Sequence, residues 1–373
     1  MHLKGLLYAA VAVTAISGIP LTGAARADIL IGTAGPTTNA EALFGTTWQN
    51  GMELAVRQAN AAGGVDGQKL VLERDDDGGD PKQGTLIAQK HCDNAGMLAV
   101  VANFNSGVTI PSSDVYNRCG MPQVTNASNP KVTKAGYKNL FRPIANDLSQ
   151  GAAPAEYALA KLGAKKAAVV HDKQAFGQGV AEVFRDNFTK GGGTVTSFSG
   201  IAQTDVDFSA LLSSIRAENP DVIYFGGVMP AVGLFVKQAR ELGIKATFFA
   251  ADSAFTPDFI AGAGPASEGT VVSFQAPPYD SSPALQKFAT DYKAAFGEEP
   301  GPYSAYGYVE ASIIIEAMKK APTPLTRAGI AAEIAKSDFD GLVGHVAFTP
   351  EGELKKPFLF LYAVTGGKFV LVK

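Results

Sequence analysis

The sequence predicts an α/β protein of two doubly wound, parallel-sheet lobes, joined by a hinge that the chain crosses several times. Three observations predict it. Short apolar runs alternate with helix-length segments along most of the chain. Runs such as Ala167–Val170 and Val222–Phe225 are continuously apolar, as strands covered by helices on both faces are. The Pro-bearing segment Phe141-Arg142-Pro143 then interrupts the alternation, and a second set of units follows it. Strands separated by single helices imply parallel pairing with right-handed crossovers.

The elements follow in order. Asp28–Thr33 reads as a strand, and Gly45–Ala62 as a helix stopped by Gly63-Gly64, which suit a C-cap. Lys69–Arg74 is a strand that leads into the turn-rich Asp75–Asp80, and Pro81 suits the first turn of a helix ending near Cys92. Strand Met97–Ala102, helix Val108–Arg118 and strand Met121–Thr125 complete the first set. Helix Ala152–Leu162 and strand Lys166–His171 open the second. Gly179–Lys190, Thr194–Phe198, Phe208–Glu218, Asp221–Phe225, Ala231–Leu242 and Ala246–Ala250 continue the alternation. Ser273–Pro278 reads as a second crossing, followed by helices Pro283–Phe296 and Ser304–Lys320. A third crossing, Gly341–Phe348, precedes closing strands Phe358–Val364 and Phe369–Val372. One lobe is thus expected from residues 28–142 and 276–345, the other from 143–275 and 346–373.

Residues 1–27 read as an address. A basic start is followed by an almost wholly apolar Gly5–Ile19, then by Ala25-Arg26-Ala27, a small-x-small cleavage pattern. The apolar run is shorter than the ~20 residues a membrane span needs. The reading is a cleaved secretory signal with Asp28 first in the mature chain. No Cys lies near the cut to carry a lipid, so a soluble exported protein is expected. In an oxidising compartment Cys92 and Cys119, each near a predicted helix end, can pair; two separate buried thiols are the alternative.

Composition excludes several classes. Two Cys and four His in 373 residues leave no disulfide scaffold, Cys-rich zinc module or His-built metal site. A net charge of -3 gives no basic footprint for nucleic acid. No phosphate-binding loop or nucleophile elbow occurs, and Gly191-Gly192-Gly193 follows a helix rather than a strand. No cofactor is implied. Asp75–Asp80 lacks the glycine and terminal glutamate of a calcium loop and reads as a solvated turn.

In open α/β sheets, ligands sit beyond the carboxyl ends of strands. Phe104-Asn105-Ser106 lies there, at the start of a helix whose free N–H groups suit a carboxylate; Ser106 capping its own helix is the bland alternative. Asn126-Ala127-Ser128-Asn129 follows the next strand and offers further donors, or plain turn chemistry. Asp252 follows a strand of the second lobe and can hold an ammonium across a cleft. Phe44, Trp48, Phe104 and Phe176 fall on loops or helix starts, suited equally to a pocket wall or to core packing.

At this point the sequence resembles the periplasmic leucine/isoleucine/valine-binding proteins, the type I substrate-binding components of ABC transporters. The likeness runs through Ala59-Asn60-Ala61-Ala62-Gly63-Gly64-Val65-Asp66-Gly67, Asp80-Pro81-Lys82-Gln83 and Pro111-Ser112-Ser113-Asp114. It continues through His171 to Gly179, Lys237-Gln238-Ala239-Arg240 and Glu351-Gly352-Glu353-Leu354-Lys355. The resemblance implies a type I periplasmic binding fold and a protein that holds an amino acid without changing it. It implies delivery to an inner-membrane ABC permease, usually as a monomer. The family's carboxylate-binding serine falls on Ser106, its threonine on Ser128 or Asn129, and its backbone contact near Ala127. Its ammonium-binding glutamate falls on Asp252. Pocket tyrosines become Phe44, Phe176 and Val228, and Trp48 stands where the amino-acid binders have a polar residue. The expected ligand is therefore a hydrophobic, branched-chain amino acid. An aromatic carboxylate, amide or urea in the same transport role is the alternative. A periplasmic sensory subunit and a secreted α/β enzyme are the readings of other classes.

Overall fold

The computed structural model describes residues 27–372; the segment read as an export signal lies, Ala27 apart, outside them. The first sheet has five parallel strands in the order β2-β1-β3-β4-β5. They are β1 (Ile29–Gly35), β2 (Leu70–Asp76), β3 (Met97–Ala102), β4 (Gln123–Val124) and β5 (Leu140–Phe141). Helices α1 (Ala42–Ala61), α2 (Pro81–Asp93), α3 (Ser106–Arg118) and the single turn α4 (Lys131–Lys134) connect them. Local chemistry sets the ends. Asp80 accepts the backbone N–H groups of Lys82 and Gln83 and so caps α2, with Pro81 in the first turn. β4 is two residues long where five were expected, because Pro122 has no N–H to offer a neighbouring strand.

The second sheet is mixed, in the order β14-β13-β10-β9-β8-β6-β7. Helix α5 (Asp147–Ala160) leads into β6 (Lys166–His171), α6 (Ala175–Lys190), β7 (Thr194–Gly200) and α7 (Ser209–Glu218). β8 (Val222–Gly226), α8 (Ala231–Glu241), β9 (Thr247–Ala250), α9 (Pro257–Ala263) and β10 (Val271–Phe274) follow, with β6 to β10 parallel. The chain then contributes α10 (Pro283–Phe296), α11 (Ser304–Lys320), α12 (Arg327–Ile334) and the hairpin of β11 (Asp338–Gly341) and β12 (Gly344–Ala347). It closes with β13 (Phe360–Thr365) and β14 (Lys368–Leu371), both antiparallel to their neighbours.

Several expectations need correction. β10 occupies the start of the segment read as the second crossing; its four residues are wholly buried but too few to show a period. The third predicted crossing holds most of the β11–β12 hairpin. The closing hairpin makes the second sheet mixed rather than purely parallel, since a two-residue turn returns the chain antiparallel. α5 starts at Asp147 rather than Ala152, with Asn146 accepting the Leu148 N–H. Gly151 and Pro154 disguise that helix in the sequence. Gly151 is there because a Cβ would lie 2.7 Å from the Val180 carbonyl oxygen on α6.

α11 packs on α1 at backbone distance. A Cβ on Gly51 would stand 2.0 Å from the Ser304 carbonyl oxygen, and one on Gly307 would stand 2.0 Å from that of Trp48. The pair shares one apolar core with the first sheet, including Ile31, Met52, Val56, Val101, Ile313 and Ile314. Within it the Trp48 Nε1–H donates to Glu310 Oε2 at 2.6 Å. Burial pushes the Glu310 carboxyl far above its ordinary range, while the Trp48 hydrogen bond acts in the opposite direction.

Cys92 and Cys119 are joined by a disulfide across 27 residues of sequence. It ties the C-terminal ends of α2 and α3, whose N-terminal ends both reach the cleft described below. Replacing both cysteines by serine is expected to cost roughly 3–4 kcal/mol on the loop-entropy model. Urea unfolding of the double variant measures it, and a midpoint equal to that of the parent would remove the bond from the stability of this lobe.

Candidate ligand-binding cleft

A cleft opens between the carboxyl ends of the two sheets. It holds about 730 Å³ of empty space, the open solvent at its mouth included, within the ~300–1,000 Å³ usual for small-molecule sites. The first lobe supplies the loops after β1 (Glu41, Phe44), β2 (Gly79, Pro81), β3 (Phe104–Val108) and β4 (Asn126, Ser128). The second supplies those after β6 (Asp172, Gln174, Phe176), β7 (Gln203), β8 (Val228) and β9 (Asp252, Ser253). Tyr303, just before α11, completes the wall.

Ser106 is the first residue of α3, two residues earlier than the sequence suggested, because the Val108 and Thr109 N–H groups both close on the Asn105 carbonyl. No side chain caps this helix. Asn105, in the capping position, turns its Nδ2–H to Glu41 Oε2 at 2.7 Å instead. The first-turn N–H groups, with their partial positive charge, therefore face the cleft unmet by a side-chain cap. The Ser106 hydroxyl is buried and accepts the Asn129 N–H at 3.2 Å, which leaves its own proton free to donate.

Asp252 is buried on the other side, and its Oδ2 accepts the Gln275 Nε2–H at 2.8 Å. Burial raises its carboxyl above the ordinary range, while Gln275 and Tyr303 act in the opposite direction. Phe44, Phe104 and Tyr303 form the apolar wall: Tyr303 meets Phe104 edge-on at 4.9 Å and Phe44 at 5.6 Å between centroids.

Of the residues singled out in the sequence, the fold brings Phe44, Phe104, Asn105, Ser106, Ser128, Phe176, Val228 and Asp252 to one wall or another of this cleft. Three others stand elsewhere. Trp48 is wholly buried behind Phe104, 5.5 Å away, and is held by Glu310; an aromatic on the core-facing side of α1 packs rather than lines. The Ala127 N–H, expected to meet a ligand, donates to Thr125 Oγ1 at 3.2 Å. Asn129 sends its Nδ2–H to the Ala175 carbonyl at 2.6 Å, linking the β4–α4 loop to the first residue of α6 in the opposite lobe. Between the two candidates for the second carboxylate contact, the fold thus puts Ser128 on the wall and sends the Asn129 side chain across the gap. Asn126, read in the sequence as part of the donor loop after β4, is on the wall as well, whereas Glu41, Gln203 and Tyr303 were not singled out. Asp172 directly follows β6, a signal the sequence does contain; Glu41 comes six residues after β1 and Tyr303 reaches the site from just before a distant helix, and neither has a local signal.

The β4–α4 loop is held from below by Arg142, at the first crossing. Its Nη1 donates to the carbonyls of Ala127 and Asn129 at 3.0 and 2.8 Å, and its Nη2 to Thr133 Oγ1. Nε and Nη2 also pair with the Glu353 carboxylate, which lies in the stretch between β12 and β13. Arg142 is fully buried. Glu353→Ala leaves a buried guanidinium short of its counter-charge and is expected to cost about 3–5 kcal/mol of stability. Thermal and urea unfolding measure this, and a loss under about 1 kcal/mol, as for a surface pair, contradicts it.

Two lobes, one cleft between strand ends, and polar groups from both lobes around a small volume define a two-lobed solute-binding protein. The chain belongs to the periplasmic binding protein family, whose model matches residues 28–368. It is 33% identical to a Leu/Ile/Val-binding protein homolog of Brucella melitensis over 96% of both chains. It is 38% identical to an amino acid binding protein of Pseudomonas aeruginosa over 82% of this chain and 81% of that one. The crystal structure of a leucine binding protein from Thermotoga maritima superposes with a TM-score of 0.85 at 30% identity, covering 92% of this chain and 98% of that one.

Proposed function

We propose that this protein is the periplasmic receptor of an ABC importer and that it captures a hydrophobic, branched-chain α-amino acid in the interlobe cleft. One observation carries the reading. An uncapped helix N-terminus with a free serine donor faces a buried carboxylate across a single small cavity. An α-carboxylate at α3 gains charge-assisted bonds from the first-turn N–H groups, Ser106 and Ser128. The α-ammonium meets Asp252, and its charge favours the ionised form of that carboxylate. Phe44, Phe104, Phe176 and Val228 surround the side chain.

Binding then drives closure because the two halves of the zwitterion clamp sit on different lobes, so the ligand favours the closed state by the bonds it makes only there. The role is capture and delivery, with no bond of the ligand made or broken. The partner is an inner-membrane permease, met by a single copy of the receptor. The relatives' names and the leucine-binding neighbour support this ligand class.

Asp252→Asn keeps the shape and the Gln275 contact region but removes the counter-charge, and is expected to weaken leucine binding by about 100-fold or more. Isothermal calorimetry measures it. An unchanged affinity in the variant sinks the clamp. If no α-amino acid raises the melting temperature of the parent, as binding to the folded state requires, the ligand class itself is wrong.

The family is periplasmic, and among the described residues no helix is long and apolar enough to cross a membrane. Residues 1–27 serve in this proposal as a cleaved signal. N-terminal sequencing of protein recovered from the periplasm is expected to begin at Asp28; a start at Met1 overturns it.

A further inference from the structure

The cleft wall has more hydrogen-bond acceptors than the clamp uses. Three carboxylates line it, Glu41, Asp172 and Asp252, and among the described residues that line it there is no Lys, Arg or His. Glu41 and Asp172 line the cleft from opposite lobes, and burial chiefly, with Asp172 adding to it, raises the Glu41 carboxyl to about 7. Asp172 is itself buried, receiving the Gln174 N–H at 3.0 Å and the Gln203 Nε2–H at 3.2 Å.

Two side-chain amides on the same wall are also short of donors. Asn126 is 6% exposed, and its Oδ1 is buried without a partner. Asn105 gives its Nδ2–H to Glu41, while its Oδ1 is likewise buried and unpartnered. Against these acceptors the wall has few donors left. The Gln203 amide is committed to Asp172, and the Ser253 hydroxyl to the Gly227 carbonyl at 2.5 Å. Buried acceptors left unpaired are costly, and carboxylates lining one closed cleft repel each other. An occupant that brings donors beyond one ammonium, and a second positive charge, meets both needs.

We propose that Glu41 and Asp172 form a second, cation-binding subsite in this cleft. Through it the protein also takes α-amino acids whose side chain ends in an amine, in addition to the branched-chain class. The inference rests on the amino-acid reading above: the clamp at α3 and Asp252 holds the common α-amino-acid head, and the new subsite reads the far end. A side-chain ammonium there makes charge-assisted bonds to both lobes at once. It therefore favours closure in the same way as the head group does. A purely apolar side chain of the same length leaves Glu41 and Asp172, each already held by neutral donors, without a counter-charge.

The test compares matched pairs. Ornithine is norvaline with a terminal ammonium, and lysine bears the same relation to norleucine. Affinities for these four and for leucine are measured by calorimetry on the full mature chain, on Glu41→Gln and on Asp172→Asn. The expected result is that at least one diamino acid binds the parent at least as tightly as its apolar partner. Either substitution is expected to lower the diamino-to-apolar affinity ratio by about 10-fold or more. The ratio, unlike the absolute affinity, is insensitive to a general loosening of the fold. Binding of leucine and norvaline with no binding of ornithine or lysine overturns the subsite while leaving the amino-acid reading intact. A ratio unchanged in both variants also overturns it. If neither leucine nor any diamino acid binds, the amino-acid reading has failed and the subsite fails with it.

Discussion

The Arg142 guanidinium carries five N–H donors on a planar fork, and it lies wholly out of contact with water. All five are met: two by the carbonyls of Ala127 and Asn129, one by Thr133, and two by Glu353. Much of the rest hangs on this arrangement. Ala127 and Asn129 flank Ser128, so the charge that satisfies Arg142 also fixes the loop that presents a hydroxyl to the cleft. Glu353 belongs to the stretch of chain running from β12 to β13. One buried ion pair thus ties two of the interlobe crossings to the floor of the site. Such a pair stabilises little against an apolar alternative, but it is costly to break, and it permits only one register.

The fold was legible wherever a segment carried its own signal. The apolar strands β6 and β8, the capped and Pro-started α2 and α10, and the alternation that implies crossovers all show in local composition. What escaped was set by partners distant in sequence. β10 is four residues whose strand identity depends on lying between β9 and β13. The N-terminal turns of α5 are masked by a glycine required only because α6 passes so close. Ser106 and Asp252 could be placed on a cleft because they follow strands, and the carboxyl end of a strand is where such sheets bind. The aromatic residues could not be sorted that way. Phe44 and Trp48 lie one helical turn apart on α1; only the contact with α11 decides that one faces the cleft and the other faces Glu310. Tyr303 arrives from far along the chain and carries no mark of its role.

Burial acts on acids in two places inside this molecule. In the core it raises the Glu310 carboxyl, which accepts from Trp48. On the cleft wall it raises Glu41, Asp172 and Asp252. The same desolvation has a different consequence on the wall, because a cation entering the cleft opposes it there. The uncapped start of α3 is the complementary feature, a partial positive charge left without an internal partner.

The bond between Cys92 and Cys119 has a consequence in time as well as in space. A chain of a periplasmic family meets an oxidising compartment only after leaving the cytosol, where thiols are kept reduced. Without the cross-link the native state of the first lobe is shallower by the loop-closure term. On the proposed export route, the reduced chain is therefore easier to keep extended than the oxidised protein is to unfold again. On that route the disulfide acts as a ratchet, consolidating the fold only after transit.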